Sequence, residues 1–188
     1  MKRLFILWSC ALCWLGLNGC SQQRTPSAAT PTTDTTAAWV TTLQERLPLL
    51  GHRNWIVITD MAYPLQANPS IETLYSGESY ERTLATVWEA VARQPHIAAH
   101  VYQDLESQRL TEAVCPGIED YRSETARLLG QGTVSYRPHE ELILHLDSVS
   151  RLYRVVIVKS RSTLPYTTTF LELDCKYWNA AQAAAAGL

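Results

Sequence analysis

The sequence predicts an α/β fold: a mostly parallel sheet with helices on both faces. Three observations carry that expectation. The run "NWIVITD", residues 54–60, is short, apolar and β-branched, as a strand buried on both faces requires. The run "SYERTLATVWEAVARQ", residues 79–94, places Leu84, Val87, Trp88 and Val91 on one helical face. Strand-like and helix-like segments alternate along the chain, the order expected of a parallel sheet with crossover helices.

Each element has its own signal. In "WVTTLQERLPLLG", residues 39–51, the apolar residues Trp39, Val40, Leu43, Leu47 and Leu50 recur at helical spacing. Pro48 breaks or tightens the last turn, and Gly51 ends it. After the 54–60 strand, "MAYPLQANPS" holds two prolines and reads as a loop. "IETLY" (71–75) is a further short strand. The 79–94 helix closes at Pro95, and "HIAAHVYQD" (96–104) is a strand. "PGIEDYRSETARLLG" is a helix opened by Pro116 and stopped by Gly130. "TVSYR" (133–137) is a strand, and "PHEELILHLDSVS" (138–150) a helix with Leu142, Leu146 and Val149 inward. "YRVVIVKS" (153–160) and "TTTFLELD" (167–174) complete the strands. In the last, Glu172 and Asp174 alternate with Leu171 and Leu173.

The first 38 residues stand apart. "MKRLFILWSCALCWLGLNGC" has basic residues at Lys2 and Arg3, an apolar stretch, and Leu17-Asn18-Gly19-Cys20. Residues 1–19 read as a secretory signal, too short and too soon followed by polar residues for a membrane span. The cleavage point resembles a bacterial lipobox, which makes Cys20 the acylated N-terminus of a membrane-anchored envelope lipoprotein, facing periplasm or exterior. Several acyl chains on one residue anchor better than one. Residues 20–38 then hold the lipid cysteine and a Ser/Thr/Pro/Ala tether without a large apolar residue before Trp39, too polar to fold alone. The domain runs over 39–178, with an Ala-rich tail at 179–188.

Loss of the leader removes Lys2 and Arg3 and no acid, so 14 of the 16 basic residues remain against 18 acidic ones. That balance, without a basic stripe, argues against a nucleic-acid partner. Of the five cysteines, Cys115 and Cys175 stay in the folded part; in an oxidising compartment they either pair or remain two buried thiols. No spacing such as CxxC or HExxH points to a metal.

In sheets of this kind ligands bind beyond the carboxyl ends of the strands. Asp60 lies at such an end, and His52 at the other end of the same run. A seven-residue strand spans roughly 23 Å, so the two meet one ligand only if the strand bends or the carboxylate comes from a neighbouring chain. His52 is open to two readings: an acid/base group titrating near neutrality, or a helix C-terminal residue held by carbonyls and dipole. Asp60 is likewise a ligand carboxylate or a cap on the next loop. His139 stands at a helix start, facing a pocket or solvent. His96, His100 and His145 read as structural or exposed.

"LGHRNWIVITDMAYP" resembles the opening of the D-ribose pyranase / L-fucose mutarotase (RbsD/FucU) family, with its Gly-His, β-run, Asp and Pro at Gly51, His52, Asp60 and Pro64. "SIETLYSGES" is similar to the family's acidic position, as Glu72. "YRPHEEL" matches its strand-to-helix step around His139, and "VIVKSRSTLPYTTTFLEL" its sugar loop, with Tyr166 at the loop tyrosine. Two residues on, the family's usual asparagine is replaced by Thr168, and "FLELDCKYW" runs past the family's usual end.

The resemblance implies a three-layer α/β/α fold and a homo-oligomeric ring with sites between neighbours. It also implies cofactor-free interconversion of monosaccharide forms, by mutarotation or pyranose–furanose exchange. His52 and Asp60 would then be catalytic, with Tyr166, Thr168, His139 and Glu72 binding sugar. The alternatives are a non-catalytic lipoprotein that binds a monosaccharide or polyol in the same pocket, which the alcohol at 168 favours, and a scaffold with a vestigial pocket.

Overall fold

The computed structural model describes residues 34–188 apart from 131 and 132. The signal, Cys20 and most of the tether lie outside the described residues. Helix α1 (Asp34–Arg46) takes in the end of the stretch read as tether, and a single 3-10 turn at Leu47–Leu49 follows, with Pro48 inside it. The strands are β1 (Trp55–Thr59), β2 (Ile71–Tyr75), β3 (Ile97–Asp104), β4 (Val134–Arg137), β5 (Val155–Lys159) and β6 (Thr169–Cys175). The remaining helices are α2 (Tyr80–Ala92), α3 (Ile118–Leu129), α4 (His139–Val149) and α5 (Ala180–Ala185). The Ala-rich tail therefore carries a short helix, started by a reciprocal cap between Asn179 and Gln182. No helix of the described residues is long and apolar enough to cross a membrane.

The strands form one sheet in the order β2-β5-β1-β6-β3-β4. All run the same way except β6, which is antiparallel to both neighbours. Strict alternation with helices fails twice. Residues 160–168 join β5 to β6 without a helix, and a link that short does not provide the crossover a parallel return needs. Residues 60–70 join β1 to β2 as an extended segment, pinned where Asn68 Nδ2 donates to Ser150 Oγ at 2.8 Å and Arg154 Nη1 to the Pro69 carbonyl at 2.7 Å.

Strand β1 is central, and all five of its residues are buried. Ile56 and Ile58 point to one face, where α1, α2 and α3 supply Leu43, Leu84, Val91, Ile118 and Tyr121. Trp55 and Val57 point to the other, which α4 covers with Leu142 and Leu146. Helix α2 starts where Ser79 Oγ accepts from the Arg82 N–H. Both faces are covered, but unequally. On the α4 side of β3 and β4, His100 and Arg137 are left exposed.

Leu43 is fully buried between α1 and the sheet. Leu43→Ala should cost about 2–5 kcal/mol, by lost transfer energy and the cavity left behind. The check is the denaturant midpoint; a shift worth less than about 1 kcal/mol would mean that α1 is not docked as described.

Candidate functional site

The carboxyl edge of the sheet gathers the ends of β1, β3 and β4 and the loop before β6. Asp104, the last residue of β3, has no exposed surface. Its two oxygens are answered by one ring and one backbone group. Oδ1 lies 3.0 Å from His139 Nδ1, and Oδ2 accepts from the Thr168 N–H at 3.2 Å. Burial pushes the Asp104 carboxyl above the ordinary range, while the His139 imidazole and the Thr168 N–H pull it down. Pro138 places His139 at the first position of α4, and Glu106 Oε2 accepts the His139 backbone N–H at 3.0 Å. The imidazole is one-third exposed, and among the described residues Nε2 has no partner. The Tyr166 ring packs edge-on against it, centroids 5.4 Å apart. Tyr166 is exposed and holds φ 55°, a left-handed backbone that a tyrosine seldom adopts. Such strain persists where the surroundings impose it, and it clusters at functional sites.

Thr168 is buried, so it serves this site through its backbone rather than through a hydroxyl turned to a ligand. Asp60 sits at the same edge, about two strand spacings, roughly 10 Å, from Asp104. Its Oδ1 accepts from the Ala62 and Tyr63 N–H groups at 2.6 and 3.0 Å, the loop-capping arrangement. Among the described residues its second oxygen has no partner.

His52 lies elsewhere. Strand β1 spans about 17 Å, and His52 precedes it. Its Nδ1 is 2.6 Å from Asp174 Oδ1, and Arg53 Nε–H donates to Nε2 at 3.2 Å. A guanidinium only donates, so Nε2 accepts and Nδ1 carries the proton. Both ring nitrogens are engaged. Asp174 Oδ2 also meets His100 Nε2 at 3.2 Å. Within one chain, then, His52 and Asp60 stand at opposite ends of a straight strand.

Two other expected residues are placed apart from this edge. Glu72 is on edge strand β2 and forms a two-point ion pair with Arg46, at 2.8 and 3.1 Å. Cys115 and Cys175 are free thiols. Cys175 pairs with Ile97 at the start of β3, whereas Cys115 precedes Gly117, which approaches Leu164 of the carboxyl-edge loop. Sequence reasoning missed Asp104; its one signal was a carboxylate closing an apolar strand. No group of three or more His, Cys, Asp or Glu is arranged for a metal among the described residues.

No protein-family profile and no curated protein matches this chain. Among solved structures the fold is that of the RbsD/FucU-type α/β proteins. The chain is similar to Bacillus subtilis RbsD, in a structure complexed with D-ribose, at 20% identity. That match covers 71% of this chain and 91% of the other, with a TM-score of 0.51. It is similar to FucU from Bifidobacterium longum at 13% identity, over 71% and 92%, TM-score 0.50. A fucose mutarotase from Streptococcus pneumoniae, in complex with L-fucose, matches at 16% identity, over 71% and 91%, TM-score 0.48. What the first two share with this chain is the fold.

The amino-end cluster makes a testable electrostatic claim. The Cys175 N–H, then His100 and His52, hold the Asp174 carboxyl down at about 2. A depressed pKa stabilises the fold above the ordinary carboxylate value of about 4, and the gain is lost as pH falls through about 2. Asp174→Asn should therefore melt lower than wild type near neutrality and converge with it toward pH 2. Melting curves against pH check this; an equal gap at both ends would remove ionisation as the cause.

Proposed function

We propose that this protein opens and recloses a cyclic monosaccharide at the carboxyl edge of its sheet, as a cofactor-free mutarotase or pyranase-type isomerase. The observation that carries the proposal is the Asp104–His139 pair: a buried carboxylate fixes Nδ1 and leaves Nε2 open at the edge where such sheets bind ligands. The RbsD-like fold supports the sugar class, since the RbsD structure holds D-ribose.

In this reading His139 Nε2 takes the proton of the anomeric hydroxyl. The ring C–O bond breaks, its electron pair goes to the ring oxygen, and the Tyr166 hydroxyl protonates that oxygen. The open aldehyde rotates, and the steps run backward to close the other anomer or another ring size. Asp104 sets the tautomer of His139 and never touches sugar. The open oxygen of Asp60 accepts a sugar hydroxyl. A group that takes and returns a proton near neutral pH suits a reversible reaction.

A second reading keeps His52 as the acid/base. It rests on the resemblance to a family whose sites lie between subunits. His52, 57% exposed at the amino edge, would then enter the carboxyl-edge site of a neighbouring copy, with Arg53 displaced from Nε2. A retained pocket without catalysis is the remaining alternative.

Exchange between anomer signals of ribose, fucose and glucose, followed by NMR, separates these. His139→Ala and Asp104→Asn should each slow exchange by about 10²-fold or more while the chain stays folded, and His52→Ala should leave more than half the rate. Loss in His52→Ala alone supports the second reading. Sugar binding without exchange supports the non-catalytic alternative.

We also propose that the domain is tethered to an envelope membrane through Cys20. Cys20→Ser should move the protein from the membrane fraction to the soluble one, read by fractionation and by mass of the mature N-terminus. An unchanged distribution would contradict the anchor.

A further inference from the structure

Between α4 and the strands β1, β3 and β6 lies a cleft of roughly 460 Å³ that the reaction above leaves unused. Its size falls within the range of small-molecule sites, roughly 300–1,000 Å³. Trp55, almost fully buried, backs it, and the half-buried Tyr102 ring stacks on Trp55 at 5.8 Å with planes 21° apart. His145 of α4 packs edge-on to Trp55 at 5.2 Å. Glu172 accepts the Tyr102 hydroxyl at 3.0 Å. Arg137 and Glu141 complete the lining. They have opposite charges and share one cleft, yet among the described residues neither makes an ion pair. Among the described residues their side chains also make no hydrogen bond.

The lining is amphipathic in the way a sugar ring is. Aromatic rings meet carbon-bound hydrogens, while a guanidinium and two carboxylates meet hydroxyls from both sides. The cleft also neighbours the edge. Arg137 ends β4 two residues before His139, and Leu142, which lines the cleft, is three residues after His139 on the same side of α4. Tyr102 precedes Asp104 by two residues on the same face of β3, a step of roughly 7 Å. That step takes one sugar ring from the His139 position to the next place along the strand.

We infer that this cleft is a second sugar subsite, and that the ligand of the carboxyl-edge site is the reducing end of a di- or oligosaccharide rather than a free monosaccharide. This rests on the proposed sugar site, but its test reads a different quantity. The reducing ring sits at His139 and Tyr166. The adjoining ring lies over Tyr102, with hydroxyls shared among Arg137, Glu141 and Glu172.

The test is calorimetric titration of the whole mature protein in detergent. The ligands are glucose, galactose and xylose, and then maltose, cellobiose, lactose and xylobiose. At least one disaccharide should bind about tenfold tighter than its own reducing-end monosaccharide, the increment that one well-made aromatic or charged contact supplies. Arg137→Gln and Glu141→Gln, both at solvent-facing positions, should bring that ratio back toward one. A ratio near one for every pair in wild type overturns the subsite, and so does a raised ratio that both variants keep. If no monosaccharide exchange is accelerated but the ratio is high and the variants abolish it, the isomerase reading falls and the subsite stands.

Discussion

A carboxylate with no exposed surface must be answered by donors, and Asp104 is answered by two, so that it joins three parts of the chain. It ends β3, takes the N–H that leads into β6, and takes the imidazole that starts α4. Those groups are 35 and 64 residues from Asp104 in sequence. The buried charge thus acts as a joint: it sets where α4 leaves the sheet edge and where the antiparallel strand enters it. An unanswered charge at this depth would cost several kcal/mol, which explains why each oxygen has a directed partner.

The two ends of the sheet use the same pairing of imidazole and carboxylate in different settings. At the carboxyl edge the acid is buried and the ring is left with one free nitrogen. At the amino edge Asp174 is partly exposed, shared by His52 and His100, and Arg53 fills the remaining nitrogen of His52. Chemistry follows the free nitrogen. The first arrangement orients a base toward solvent, and the second ties down the turn between the 3-10 helix and β1. Between them run Glu172, Tyr102 and Arg137, which line the cleft beside α4.

Much of the fold was legible because it is written in local periodicity. The β-branched run at 55–59 and the helical stripe at Leu84, Val87 and Val91 specify burial without knowledge of any partner. Pro48 marked its tightened turn. The direction of β6 was not legible, because it depends on the length of a connection rather than on the pattern of the strand. Asp104 was missed for a related reason. Its meaning comes from residues 35 and 64 positions away, and no spacing rule reaches that far. His139 and Tyr166 came from the resemblance, and the structure sets them against one another. Glu72 and Thr168 came from it too. Glu72 pairs with an arginine, and Thr168 lies in the protein interior.

The most direct measurement is the ¹⁵N spectrum of the histidine side chains, recorded free and with a saturating reducing sugar. This account predicts that His139 carries a proton on Nδ1, and a shift at its Nε2 on sugar addition larger than that at any other imidazole. A proton on Nε2 of His139, or a shift confined to His52 while His139 stays still, would contradict it.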